Sequence, residues 1–240
     1  MVDKYPGING VIVQARMGSK RLPGKTLLKF DKKNTSIDLI LKRLNDSKFT
    51  DIIIFSIPDD SENDVLAEKL DLLNLQFYRG HPNDLISRFY NTCKKFKLNQ
   101  FVRVTGDNPL VDSEIVDFFF KLEKKIQFVD GFSPKVLPNG TVVSRLSFNL
   151  IEILNKKETS KFHREHIVTS PILDKHRFLP NFPKKWHGFY ERYCLDDQLD
   201  YLHLKNIIQN HNAMNLKTSD LIKIHKTIKK INYENSKRGY

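Results

Sequence analysis

One stretch, Ala15-Arg16-Met17-Gly18-Ser19-Lys20-Arg21-Leu22-Pro23-Gly24-Lys25, gathers much of the chemistry-bearing character of this 240-residue chain. Four cations, Arg16, Lys20, Arg21 and Lys25, share a loop with Gly18 and Gly24, whose missing side chains let the backbone approach a ligand closely. Guanidinium forks and a mobile ammonium suit the oxygens of a triphosphate. The spacing is not that of a Walker loop: Gly24-Lys25 would need a glycine at position 19, which is Ser19. A second group is Gly106-Asp107-Asn108-Pro109, where one carboxylate in a tight turn is well placed for a metal ion. Read from its neighbours alone, Asp196 is an N-cap for a helix starting near Gln198. His163 and His166 flank Arg164-Glu165 without His-Glu-x-x-His spacing, which argues against zinc. The Asp59-Asp60 pair reads as a helix cap rather than a glycosyltransferase-type metal motif.

Apolar patterning supplies the elements that must position these groups. Gly10–Ala15, Asp51–Ile57, Leu75–Tyr78 and Phe101–Thr105 read as strands. Between and after them, Ile37/Ile40/Leu41/Leu44, Leu66/Leu70/Leu73, Leu85/Phe89/Cys93/Phe96 and Ile115/Val116/Phe119/Phe120 follow helical spacing. Ser61 with Asp64 resembles a capping box. Strands alternating with helices predict a Rossmann-like, three-layer α/β sandwich around a mainly parallel sheet. Ligands of such sheets bind at the carboxyl ends of the strands, where the loops 16–25 and 106–112 fall. The alternation lapses over about residues 133–190, with Pro171, Pro180, Pro183 and the Asn139-Gly140 turn, so an irregular insert in a single domain spanning 1–240 is expected there. Arg192–Leu195 reads as a returning strand, Gln198–Gln209 as a helix, Leu221/Ile224/Ile228/Ile231 as a last helix, and Asn235–Tyr240 as a frayed basic tail.

Composition narrows the class. Lys+Arg 40 against Asp+Glu 28 gives a net charge of +12, which favours anionic partners or a lysine-rich solvated surface. No zinc-finger spacing, recognition-helix pattern or aromatic RNA-binding run points to nucleic acid. The apolar runs are too short to cross a membrane, and the N-terminus lacks the pattern of a signal peptide. Two widely spaced cysteines, Cys93 and Cys194, fit a reduced, cytoplasmic protein.

The string Arg-x-x-Ser-x-Arg-Leu-Pro-Gly-Lys at 16–25 resembles the SpsF-like cytidylyltransferases, relatives of the CMP-Kdo and CMP-acylneuraminate synthetases. The resemblance continues, in order, at Tyr78-Arg79-Gly80, Asp84–Tyr90, Arg103–Leu110, Arg164-Glu165-His166 and Leu195–Asp200. It implies a fold of the nucleotide-diphospho-sugar transferase type and transfer of CMP from CTP to a small acidic, sugar-like acceptor, with Mg2+ as cofactor. It also implies a homodimer using the 133–190 region, and a place in nucleotide-sugar or polysaccharide biosynthesis. Residue by residue, it assigns CTP to Ala15, Arg16, Gly18, Ser19, Arg21, Lys25, Arg79, Thr105 and Gly106, and magnesium to Asp107 and Asp196. Arg21, Lys25 and Asp107 are the implied catalytic residues, and Asn139, Gly140, Arg164 and His166 the implied acceptor residues. Arg79 and the Asp84/Arg88 pair read equally as groups near the base or sugar and as ties between a loop and its helix. The family's Pro-Asp-Gly-Leu-Asp-Val-Glu is here Pro138-Asn139-Gly140-Thr141-Val142-Val143-Ser144, so two acids are replaced by Val142 and Ser144. That loss eases the approach of a more anionic acceptor. Asp197 stands where the family carries Thr. A glycosyltransferase consuming a nucleotide sugar and a non-catalytic nucleotide-binding module are the alternative readings.

Overall fold

The β-branched and aromatic runs pair side by side as parallel ladders, β1 (Asn9–Gln14), β2 (Ile52–Pro58), β3 (Gln76–Gly80) and β4 (Gln100–Thr105), in the order β3-β2-β1-β4. The structure, a computed structural model, describes residues 7–227. Between these strands run α1 (Ser36–Leu44), α2 (Asp64–Leu72) and α3 (Leu85–Phe96), and α4 (Ser113–Lys121) follows β4. Polar residues start each helical segment: Thr35 and Asp38 form a capping box on α1, Asp60 caps the short turn before α2, and Asp84 and Asp112 cap α3 and α4. Ser61 and Asp64, expected as the box at α2, are not its cap.

Strand side chains alternate between two apolar layers. Val11, Val13, Val102 and Val104 face α1 and α4 through Ile37, Ile40, Ile115 and Phe119. Ile12, Ile54 and Phe101 instead share a cluster with Phe89 and Cys93 of α3. The 133–190 region is more regular than expected. It follows β5 (Phe128–Asp130) and holds β6 (Ser144–Ser147), α5 (Phe148–Lys157), α6 (Lys161–Glu165), α7 (Pro171–Asp174) and β7 (Arg177–Phe178). β6 lies antiparallel between β4 and β5 and completes a seven-stranded sheet in the order β3-β2-β1-β4-β6-β5-β7. Four residues behind a proline and a glycine turn are too few for alternation to show in the sequence.

The returning strand expected at Arg192–Leu195 does not form. This extended segment makes one isolated bridge, Asn139 with Arg192, and is otherwise held by Leu195 N–H donating to the Asp107 carbonyl at 2.7 Å. Beyond it run α8 (Gln198–His211) and α9 (Thr218–Thr227); Ile228, Ile231 and the 235–240 tail lie outside the described residues. α8 covers a third apolar cluster that includes Leu22, Phe30, Tyr193 and Leu195.

Two buried arginines tie distant carbonyls. Arg145 donates to the carbonyls of Phe119, Leu122, Glu123 and Ile126 at the end of α4, and burial pushes its pKa down to about 10. Arg43 on α1 donates to the carbonyls of Val111, Ala213, Met214 and Leu216. Among the described residues no helix is long and apolar enough to cross a membrane.

The chain winds outward from β1 to β3 and then returns to place β4 on β1's other side, which makes the β1/β4 boundary the switch point of the sheet. Both loops singled out by their chemistry leave from this boundary. Gly140, at φ +97°, packs against the 193–194 segment, where an added Cβ would lie 2.3 Å from the Tyr193 carbonyl carbon. Gly140→Ala should therefore cost at least about 2 kcal/mol. Urea unfolding of the variant at neutral pH measures this, and an unchanged midpoint would contradict it.

Candidate active site

After β1 the chain doubles back. The Met17 carbonyl accepts N–H groups from Ser19 and Gly24, and Gly24 turns the backbone at φ +68° into a short 3-10 turn, Lys25–Leu27. The Thr26 hydroxyl donates to the Arg16 carbonyl at 2.8 Å, and Met17 N–H donates to the Asn63 side chain at 2.8 Å. Gly18 has no room for a side chain, since a Cβ would meet Glu62 Oε2 at 2.7 Å. Across the gap, Gly106 N–H donates to the Gln14 carbonyl at 2.7 Å and sets the turn that presents Asp107.

The two loops meet at one nitrogen. Lys25 Nζ lies 3.0 Å from Asp107 Oδ2, 3.2 Å from Asp196 Oδ1 and 2.8 Å from the Leu195 carbonyl. Arg21 adds a second cation 3.2 Å from Asp196 Oδ1. Asp196 Oδ2 accepts from Arg192 at 2.8 Å, and Arg192 grips both oxygens of the buried Asp200 at 2.9 and 3.0 Å. Asp200 in turn accepts the Asp196 N–H at 2.9 Å. Burial pushes the Asp196 carboxyl up, yet Lys25, Arg21 and Arg192 together hold it below its ordinary value of 3.8.

These groups open onto a cleft of about 680 Å³. Ala15, Arg16, Gly18, Ser19, Lys20, Arg21 and Lys25 form one wall, and Thr105, Gly106, Asp107 and Asp196 another. All of these but Lys20 are predicted site residues, and Lys20 is one of the four loop cations. His166 lines the far side together with Pro82, Asn83 and Glu165.

Four expected site residues do not line the cleft. Arg79 is committed to Asp59 at 3.2 Å, Asp64 at 2.7 Å and the Asp60 carbonyl at 2.8 Å. Arg164 ties α6 to Asp84 at 2.7 Å and to the carbonyls of Asn155 and Glu158. Asn139 and Gly140 back the 191–194 segment: Asn139 N–H donates to the Glu191 carbonyl and its own carbonyl accepts from Tyr193. Nor is Asp196 the helix cap; Asp197 caps α8 by accepting from the N–H groups of Leu199 and Asp200. Thr and Asp are both favoured as caps, Asp the more strongly, which accounts for the departure at 197. Gln14, Arg103 and Glu165, which are not among the predicted site residues, also line the cleft, as does Arg88, for which the sequence leaves two roles open. A charge inside the apolar run Phe101–Thr105 was the available signal for Arg103, and a charge on the buried face of α3 that for Arg88.

A cationic loop facing paired carboxylates at the switch point of a Rossmann-like sheet defines a nucleotidyltransferase. The chain belongs to the cytidylyltransferase family, whose model matches residues 10–221. It is 35% identical over 157 residues to an uncharacterised protein of Methanocaldococcus jannaschii, covering 65% of this chain and 64% of that protein. It is 28% identical over 210 residues to the spore coat polysaccharide biosynthesis protein SpsF of Bacillus subtilis, covering 82% of this chain and 85% of that one. The solved cytidylyltransferase of Leptospira borgpetersenii superposes with a TM-score of 0.83 at 30% identity, over 91% of this chain and 94% of that one.

Removing the Lys25 ammonium leaves two carboxylates facing each other. Lys25→Met should lower stability by about 1.5–3 kcal/mol, the worth of charge-assisted hydrogen bonds. Because the folded Asp196 carboxyl titrates below 3.8, its stabilisation is present above that pH and is lost as the pH falls through the lower folded value. Denaturant titrations at neutral pH and across the acid range should show both the loss and a flatter acid limb in the variant; superimposable curves would contradict the assignment.

Proposed function

We propose that this protein transfers CMP from CTP to a small acidic, sugar-like acceptor and releases pyrophosphate. The observation that carries the reading is the oxygen cage around Lys25 Nζ at the mouth of the cationic loop. Family membership supports cytidine as the base. Arg16, Ser19, Lys20, Arg21 and Lys25 hold the triphosphate, and an acceptor oxygen attacks the α-phosphorus in line as the bond to the β-phosphate breaks. Arg21 and Lys25 stabilise the charge gathering on the departing pyrophosphate, so positioning and electrostatics carry most of the rate.

A divalent ion fits the same cage. Two carboxylate oxygens and a carbonyl already surround one cationic nitrogen at 2.8–3.2 Å, and Mg2+ prefers oxygen ligands with only one or two protein carboxylates. Asp107 and Asp196 are the residues that would hold it, where the ion supplies charge neutralisation at the phosphates. A second set, Cys194 with Asp196 and Asp200, suits metal less well. Arg192 occupies both oxygens of Asp200, and burial keeps the Cys194 thiol protonated by pushing its pKa well up. Lys25 cannot face the phosphates while it bridges the carboxylates, so nucleotide binding draws it away and frees them. The 133–190 region supplies a homodimer contact in this reading. The buried, unpaired Cys93 and Cys194 accord with a reducing cytoplasm.

Calorimetry should find CTP bound more tightly than ATP, GTP or UTP, and only with a divalent metal; equal affinities would contradict the cytidine assignment. Asp107→Asn and Asp196→Asn should each abolish pyrophosphate release with the fold intact, and the double variant should be no worse than either, because each removes the same ion. Lys25→Met should bind Mn2+ more tightly than the native protein when nucleotide is absent, yet bind CTP more weakly. Lower Mn2+ affinity in that variant would show that the lysine does not compete for the cage.

A further inference from the structure

Residues 81–84 join β3 to α3 and supply Pro82 and Asn83 to the far wall of the cleft. A side chain closes this turn. His81 Nδ1 accepts the N–H groups of Asn83 at 3.2 Å and of Asp84 at 2.9 Å. Asn and Asp ordinarily make such a turn, accepting from N–H groups a few residues further on. Histidine Nδ1 stands the same number of bonds from Cα as asparagine Oδ1, so the ring can take the place of the amide. Pro82 has a fixed φ and no N–H of its own, which leaves Asn83 and Asp84 as the donors.

More than the loop hangs on this turn. The His81 and Pro82 carbonyls accept from Arg88 Nη1 at 3.2 and 3.4 Å, and Arg88 lines the cleft. Asp84 caps α3 by accepting from Ser87 N–H at 2.9 Å and holds Arg164 Nε at 2.7 Å. Arg164 belongs to α6 and stands directly before Glu165 and His166, which line the same wall.

An imidazole differs from the amide it replaces because it takes up a proton, ordinarily somewhere between about pH 5 and 8. A neutral ring that accepts at Nδ1 carries its hydrogen on Nε2. Protonation puts a second hydrogen on Nδ1, aimed at two N–H groups, and both bonds are lost. His81 is exposed, so the proton reaches it without unfolding. Charges of both signs surround the turn: Asp84 within it, Arg88 on α3, Arg164 on α6, and Arg79 with Asp59 and Asp64 beyond the end of β3. The geometry at Nδ1, not the sum of these charges, decides what the proton does to the turn.

We infer that His81 is an acid-released clamp on the cleft wall. Neutral, it holds residues 81–84 in place and, through Asp84 and Arg164, the end of α6; protonated, it lets that wall go. His81 is a positioning residue in this role, which is independent of the ligand the cleft takes.

NMR of the 15N-labelled full-length protein from about pH 5 to 8 tests the clamp. At the upper end the His81 ring should be the Nε2–H tautomer. On acidification the amide signals of Asn83, Asp84 and Ser87 and the Arg164 Nε–H signal should move with the midpoint of the His81 ring. Solvent exchange of the Asn83 and Asp84 amides, corrected for its intrinsic pH dependence, should quicken at least about fivefold below that midpoint. His81→Asn keeps the acceptor without the charge change, so it should hold those signals still while His163 and His166 titrate as before. His81→Ala lacks the acceptor and should show the fast exchange throughout, with thermal melts verifying that both variants fold. A neutral ring with its proton on Nδ1, Asn83 and Asp84 signals that do not follow His81, or the same midpoint persisting in His81→Asn would each overturn the clamp. A stationary Arg164 signal would overturn its reach to α6.

Discussion

Two carboxylates brought to one sheet edge repel each other, and the Lys25 ammonium between them lets Asp107 and Asp196 share it. The three residues come from segments separated by 82 and 171 positions. A lysine is suited to the post because its stem is flexible and its charge compact: it can bind oxygens from either side without a fixed fork. The loop that carries it is held more rigidly than its tip, by the Met17 carbonyl, the Thr26 hydroxyl and the Asn63 amide.

Asp196 needs a brace of its own, since it sits on a segment with no ladder. Arg192 and Asp200 supply it, both nearly excluded from water. Such a pair adds little net stability once desolvation is counted, but with every hydrogen bond made it fixes geometry. The backbone is pinned as well, by Leu195 N–H to the Asp107 carbonyl and by the Gly140 turn behind Tyr193. One carboxylate is therefore placed by the strand it follows, and the other by ties to its surroundings.

The sequence announces the β1–β4 half of the fold because each element there is long enough to show its period. Gly10–Ala15 is apolar but for Gln14 and Phe101–Thr105 but for Arg103 and the closing Thr105, and α1 and α3 repeat their apolar residues at helical spacing. β6 is four residues long, and its defining fact is which strand it lies beside, which no local pattern encodes. Arg192–Leu195 has the composition of a strand but no neighbour to pair with over its length. Arginines were the hardest residues to place. Arg79, Arg164 and Arg103 look alike in sequence, yet two are bound to acids across a turn or between helices and one faces the cleft. The partner decides the role, and the partner is tertiary. The cationic loop is legible because its cations and glycines are contiguous.

Arg43 links α1 to carbonyls at positions 213, 214 and 216. A chain emerging from the ribosome in order would thus carry a guanidinium with its Nη1 partners still missing through most of its synthesis. The first four strands and their helices have their own apolar layers and can assemble early, but of the Arg43 acceptors they hold only the Val111 carbonyl, and they lack the second carboxylate of the cage. The missing groups arrive together in the last fifth of the chain. The carboxylate that completes the cage and the carbonyls that complete Arg43 therefore come from the same closing stretch, and a chain shortened before residue 196 would lack both.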